Sequence, residues 1–168
     1  MLEHATLRVL NWTQVKQPGG GLGWTRSIET LDGQPLGFSR VVDDCQGIWF
    51  SWLRRIRVEV CETPDASLVM TLTRGWGIFR TWEIHDAEGQ HVGCVRAKTV
   101  ITSELEFIGN FDLARGGILD SSERVLVTLA VAGEGGTELA FAKELTANPF
   151  LRMLLIGCVL TLDPTPQA

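Results

Sequence analysis

The sequence predicts a mainly β protein, a closed antiparallel β-barrel of about ten to twelve strands around a C-terminal hydrophobic helix. Three observations carry this. A hairpin-like segment recurs, as IETLDGQPLGFSR over Ile28–Arg40 and as IHDAEGQHVGCVR over Ile84–Arg96, with a looser copy, VAGEGGTELAFAK, over Val131–Lys143. Each copy sets an acidic residue or glycine and then Gly between two apolar segments, which writes a tight turn between two strands. Between the copies, apolar and polar residues alternate with period 2, and the chain closes on a single non-alternating apolar run.

In chain order, residues 1–23 hold a short strand around Leu7, Val9 and Trp12, followed by the flexible link Gln17-Pro18-Gly19-Gly20-Gly21. That link is no phosphate loop, since no Gly-Lys-Ser/Thr follows it. Trp24–Thr30 and Pro35–Val42 flank the Asp32-Gly33 turn. Ile56, Val58 and Val60 then alternate with Arg55, Arg57 and Glu59, and Leu68, Met70 and Leu72 continue the pattern past Thr63-Pro64-Asp65-Ala66. Such alternation places one face in a core and the other in water. The Glu88-Gly89 hairpin follows, then a strand pair within Glu104–Leu119, then Arg124–Val131 and Thr137–Lys143.

The tail departs from this pattern. Asn148 suits an N-cap and Pro149 the first helical position, where a missing N–H costs nothing. FLRMLLIGCVLTLD is apolar on all sides, so the helix has to be covered all round. Asp163-Pro164 supplies its stop. At 1.5 Å per residue the helix spans roughly 22 Å, short of a bilayer's hydrocarbon thickness of about 30 Å, and Arg152 lies near its start. A closed barrel is the cover that also leaves no exposed sheet edge. The whole chain, 1–168, reads as one domain: an N-terminal strand and link (1–23), repeated hairpins (24–145) and a buried helix (148–163).

Composition narrows the function classes. The chain has 168 residues, 45% hydrophobic, and a net charge of −5, which disfavours nonspecific nucleic-acid binding. Cys45, Cys61, Cys94 and Cys158 form no C-x2-C pair, so no zinc site is written, and Cys94 and Cys158 lie in apolar runs where a thiol acts as a small hydrophobe. Met-Leu-Glu-His has neither a basic nor an apolar leader region, which leads to the expectation of a cytoplasmic protein. His85, Asp86, Glu88 and His91 surround one turn, where polar side chains are ordinarily solvated turn chemistry rather than a metal site. No G-x-S-x-G or H-E-x-x-H occurs, and no nucleophile stands near a base, so neither an enzyme nor a cofactor is expected.

Repeated strand–D/E-G–strand units ending in an apolar helix resemble the tubby-like barrel superfamily, and within it the phospholipid scramblases and plant LURP-one-related proteins. RTWEIHDAEGQHVGCVR (Arg80–Arg96) is similar to that group's central hairpin, and MLLIGCVLTLD (Met153–Asp163) to the helix that threads its barrel. The resemblance spans about Trp24 to Asp163. The departures bear on function. Scramblases carry an acidic calcium-binding segment before the terminal helix, whereas here only Glu144-Leu145-Thr146-Ala147 separates Lys143 from Asn148, so calcium is not an expected partner. The palmitoylated cysteine cluster would fall near Gly75–Phe79, which reads Gly-Trp-Gly-Ile-Phe, and the proline-rich leader is missing. The basic cluster with which tubby proteins hold phosphoinositides has no counterpart that can be placed.

The candidate lipid-binding residues are Trp49, Phe50, Trp52, Arg54, Arg55 and Arg57 in GIWFSWLRRIR, joined by Trp76 and Phe79. Interfacial aromatics beside arginines suit an anionic membrane surface. The same residues also suit a barrel cap with a solvated strand face. The functional expectation is a non-enzymatic module that associates peripherally with anionic phospholipid. The alternatives are a soluble protein-interaction module with an unknown protein partner, and a phospholipid scramblase.

Overall fold

The computed structural model describes residues 1–16, 22–42, 56–74, 81–112, 114–132 and 135–162. Thirteen strand segments follow in order: β1 (Thr6–Val9), β2 (Thr13–Lys16), β3 (Leu22–Glu29), β4 (Pro35–Val42), β5 (Ile56–Glu62), β6 (Leu68–Arg74), β7 (Thr81–Asp86), β8 (His91–Arg96), β9 (Thr99–Thr102), β10 (Phe107–Asp112), β11 (Gly117–Leu119), β12 (Val125–Val131) and β13 (Thr137–Phe141). A 3-10 turn, Lys143–Ala147, leads into helix α1 (Pro149–Leu162). From β3 to β13 each strand pairs antiparallel with the next. β1 and β2 both run along β3, as one strand broken at Leu10–Trp12, and β1 also pairs with β13. The sheet therefore closes into a twelve-stranded barrel, with β2 paired on one side only, to β3. At the seam Arg8 stands opposite Glu138 and pairs with it at 2.8 Å.

The sequence repeat is a structural device. Four connections at one end of the barrel are the same five-residue turn: 30–34, 86–90, 102–106 and 120–124. In each, the first residue's N–H donates to the fifth residue's carbonyl, at 2.9 Å for Thr30 and 3.0 Å for Asp86. Its side-chain oxygen (Thr30, Asp86, Thr102 or Asp120) accepts the fifth residue's N–H in return. The fourth residue is left-handed: Gly33, Gly89, Leu105 and Glu123, with φ of 80°, 81°, 65° and 60°. After each turn the return strand carries one extra residue opposite the outgoing strand: Leu36, Val92, Ile108 or Leu126. Val69 is the same bulge in the β5–β6 hairpin. All five packed against the core are apolar, so the bulges both tighten the sheet's coil and turn an extra side chain inward at this end.

Gly37 and Gly93 follow those bulges and explain the second glycine of the repeat. A Cβ on Gly37 would stand 2.3 Å from the Cys61 carbonyl oxygen; on Gly93 it would meet the Ile101 carbonyl oxygen at 2.3 Å and Leu154 Cδ2 of α1 at 2.8 Å. The third copy behaves differently. Its turn, 132–136, lies at the opposite end, and β12–β13 pair without a register shift, so Ala140 can stand where the other copies need glycine. Two further expectations are corrected. β9 pairs with both β8 and β10 although Thr99–Thr102 was not read as a strand. Leu68 does not share the inward face of Met70 and Leu72, because the Val69 bulge intervenes and leaves Leu68 in an outer groove.

Helix α1 occupies the barrel interior. Arg152 through Leu160 are buried throughout, among inward residues such as Leu7, Ile28, Leu72, Ile84, Ile118 and Leu139. Asn148 caps it as expected, its Oδ1 accepting the Leu151 N–H at 3.0 Å. Gly157 lets α1 lie against β7, since a Cβ there would come within 2.4 Å of Ile84 Cδ1. The stop at Asp163-Pro164 lies outside the described residues. Among these, no helix is long and apolar enough to cross a membrane.

Arg152 is the unexpected core residue. It is 1% exposed, its guanidinium is hydrogen-bonded by carbonyls, and among the described residues no carboxylate pairs with it. Nε donates to Leu145 O at 3.1 Å; Nη1 donates to His4 O at 2.9 Å and to Leu2 O. The guanidinium also lies 5.0 Å from the Phe141 ring. The helix thereby holds the residues that lead into the closing strand β1.

Candidate functional site

Antiparallel order fixes which connections share an end. The four five-residue turns, residues 1–5 and the start of α1 lie at what we term the turn end. Connections 43–55 and 75–80 leave from the opposite end, side by side, because Ile56 is paired with Arg74 and Arg74 with Trp82. The strand ends that flank the two segments carrying the candidate aromatics are thus neighbours at one rim. Trp49, Phe50, Trp52, Arg54, Arg55, Trp76 and Phe79 themselves lie outside the described residues; Arg57 does not.

Arg57 opens a polar row on the outer wall of β5. Outward residues run across the strands in register, with Arg40 beside Glu59, Glu59 beside Thr71 and Thr71 beside His85. The Glu59 carboxylate accepts from Arg40 Nε and Nη2 at 2.9 and 2.7 Å, and lies 3.1 Å from Arg57 Nη2. The hydrogen bond to Glu59 holds the Arg40 guanidinium above its ordinary value despite partial burial. One carboxylate between two arginines leaves the cluster with an excess positive charge. Exposed pairs of this kind contribute about 0–1 kcal/mol to stability, so they orient the side chains more than they hold the fold. Below the cluster an open groove of about 400 Å³ runs along the wall past Thr71, Thr73 and His85.

The described charges are segregated along the barrel axis. The turn end carries Asp32, Asp65, Glu88, Glu104, Glu106, Asp120 and Glu123, with Arg124 and Lys143 among them. The opposite end carries Arg57 and Arg74 at strand ends and Arg96 and Lys98 at the β8–β9 turn, with Asp112 and the Arg57-bound Glu59 as nearby acids. A net acidic protein therefore presents a basic end. Arg26 lies just inside the sheet beneath Trp12, 4.0 Å from its ring, and is nearly buried.

His85 and His91 face each other across β7–β8 with ring centroids 5.3 Å apart. The Asp86 carboxylate is occupied by the Glu88 and Gln90 N–H groups of its turn. Among the described residues no group of three or more His, Cys, Asp or Glu is placed to hold a metal ion. Cys94 is not a core thiol: it stands half-buried on the outer face opposite Glu83, whereas Cys158 is fully buried in α1. The axial charge pattern was not legible in the linear order, because it appears only once alternate turns are assigned to opposite ends.

Comparison with known proteins returns no matching family model, no similar curated protein and no similar solved structure.

Proposed function

We propose that the protein is a non-enzymatic module that associates peripherally with anionic phospholipid, its basic end toward the membrane. The observation that supports this best is the coincidence of two features at one rim. The connections holding Trp49, Phe50, Trp52, Trp76 and Phe79 leave from the same end as Arg57, Arg74, Arg96 and Lys98. Such a distribution orients a protein in the field of an anionic surface, where each basic residue contributes about 1 kcal/mol and aromatics sit at the headgroup level. The resemblance of Arg80–Arg96 and Met153–Asp163 to scramblase and LURP-one-related segments supports a place near that group. Binding is favoured over lipid transport, because α1 side chains fill the interior through which a lipid path would run.

Co-sedimentation with phosphatidylserine-containing and neutral vesicles tests the proposal. Binding should be confined to the anionic vesicles, fall at physiological salt and ignore calcium. Arg54→Glu with Arg55→Glu removes two attractions of about 1 kcal/mol each, a roughly thirtyfold loss before repulsion is added. Equal binding to both vesicle types, or binding unchanged in the double variant, would overturn it.

A further inference from the structure

The turn end holds a second surface of different chemistry. A groove of about 480 Å³ lies between the first turn of α1 and the turns at 86–90 and 102–106. Its floor is apolar, made by Val92, Ile108, Leu151 and Leu154, and Phe150 stands beside it 55% exposed. Its walls are acidic, with Glu104 and Glu106 on one side and Asp86 on the other. Neither Glu104 nor Glu106 is in an ion pair among the described residues.

Between the two glutamates stands Leu105, 82% exposed and with φ of 65°. The equivalent position is glycine in two of the sister turns, and a left-handed conformation costs a branched side chain about 1–2 kcal/mol. Folding gains little from a leucine placed there, which buries little surface and takes a left-handed backbone. Leu105 thus presents an exposed apolar side chain between two residues that line the groove.

We propose that this groove docks a peptide segment of a partner protein that carries an arginine or lysine next to an apolar side chain. The apolar side chain would lie on the Val92–Leu154 floor, covered by Leu105 and Phe150, and the cation would meet Glu104 and Glu106, whose charges have no ion-pair partner among the described residues. The same acids repel an anionic lipid surface, so the groove is no second membrane contact. It sits at the far end of the barrel from the basic rim and does not rest on the lipid reading. A protein with both surfaces would bridge a membrane and a basic–apolar peptide.

The test is selection of heptapeptides from a phage-displayed library on the full-length protein, followed by fluorescence anisotropy of the enriched peptides. Two variants are measured beside the wild type, Glu104→Lys with Glu106→Lys, and Leu105→Gly. All three sites are exposed turn positions, and Leu105→Gly relieves the backbone, so both variants stay folded by circular dichroism. The expected result is an enriched basic–apolar sequence that binds each variant at least tenfold more weakly than the wild type. Enrichment of acidic or purely apolar sequences, equal binding to the charge variant, or no enrichment would overturn the proposal. So would a concentration-dependent dimer in sedimentation that the charge variant abolishes, since a second copy would then be the occupant.

Discussion

Replacing Arg152 by leucine removes the cation at the start of α1 from the barrel interior and leaves its hydrophobic surroundings nearly filled. Three carbonyls lose their donor: Leu145 O within the 3-10 turn, and Leu2 O and His4 O in the segment that feeds β1. Hydrogen bonds from a charged donor contribute about 1.5–3 kcal/mol each, so three sum to about 4.5–9 kcal/mol. Against this, the variant no longer has to desolvate a guanidinium, which costs several kcal/mol. The net expectation is a loss of about 2–4 kcal/mol. For a urea m-value of about 2 kcal/mol/M this is a fall of about 1–2 M in the unfolding midpoint with m unchanged. Arg152→Lys keeps the charge but cannot reach carbonyls on both sides, and should lie between the two. Because two of the three acceptors precede β1, amide exchange over Thr6–Val9 should rise in Arg152→Leu more than exchange in β6. A leucine variant as stable as the wild type, or a uniform change in exchange, would refute the reasoning.

Gly93→Ala sets a Cβ against a neighbouring strand's carbonyl and against Leu154, so it should cost at least about 1–3 kcal/mol in chemical unfolding. Gly33→Ala, where φ is 80° but no atom lies within 4 Å, should lose only the left-handed penalty of about 1 kcal/mol; equal costs would contradict the steric account. Burial pushes the Cys158 thiol up to about 12, so in the native protein it should resist maleimide near neutral pH and react only on unfolding. Rapid native labelling at Cys158, read by mass spectrometry, would contradict the packed interior. Asp120 is held below the usual carboxylate range, first by the Arg124 N–H and then by the Arg124 side chain and the Ser122 N–H, and Asp65 chiefly by Ser67. A depressed carboxylate stabilises the fold above its unfolded value near 3.9, and that contribution is lost as pH falls through the lower folded value. Thermal stability should therefore drop below about pH 4, and Asp120→Asn should make that drop shallower.

What could be read from the sequence was whatever is written locally. The hairpins at Gly33 and Gly89 announce their left-handed residue, and the helix announces its Asn148 cap. The sister turns at Thr102–Glu106 and Asp120–Arg124 were missed because Leu105 and Glu123 stand where glycine was the signal. Their shared mark was the first residue, Thr or Asp, whose side chain accepts the fifth N–H. Bulges shift the alternation phase by one, which is why Leu68 was placed on the wrong face. Closure follows from the need to cover edges, and the strand around Leu7 and Val9 is legible, but not its closing role, since the pairing of Leu7 with Leu139 is carried by no local pattern. Arg152 read as a cation near a helix start for the same reason: its acceptors at Leu2 and His4 are remote in sequence. Of the candidate lipid site, Arg57 falls on an outward strand face as its alternation implied, and the groove beside Leu105 required three elements to be brought together.

The orientation on a membrane is the most direct measurement of the account. Amide spectra of the protein with phosphatidylserine vesicles carrying a gadolinium-chelated headgroup report which end approaches the surface. Selective broadening at Arg57, Arg74, Arg96 and Lys98, with Asp32, Asp65 and Glu104 unaffected, is the predicted result. Broadening at the turn end, or equal broadening at both ends, would contradict it.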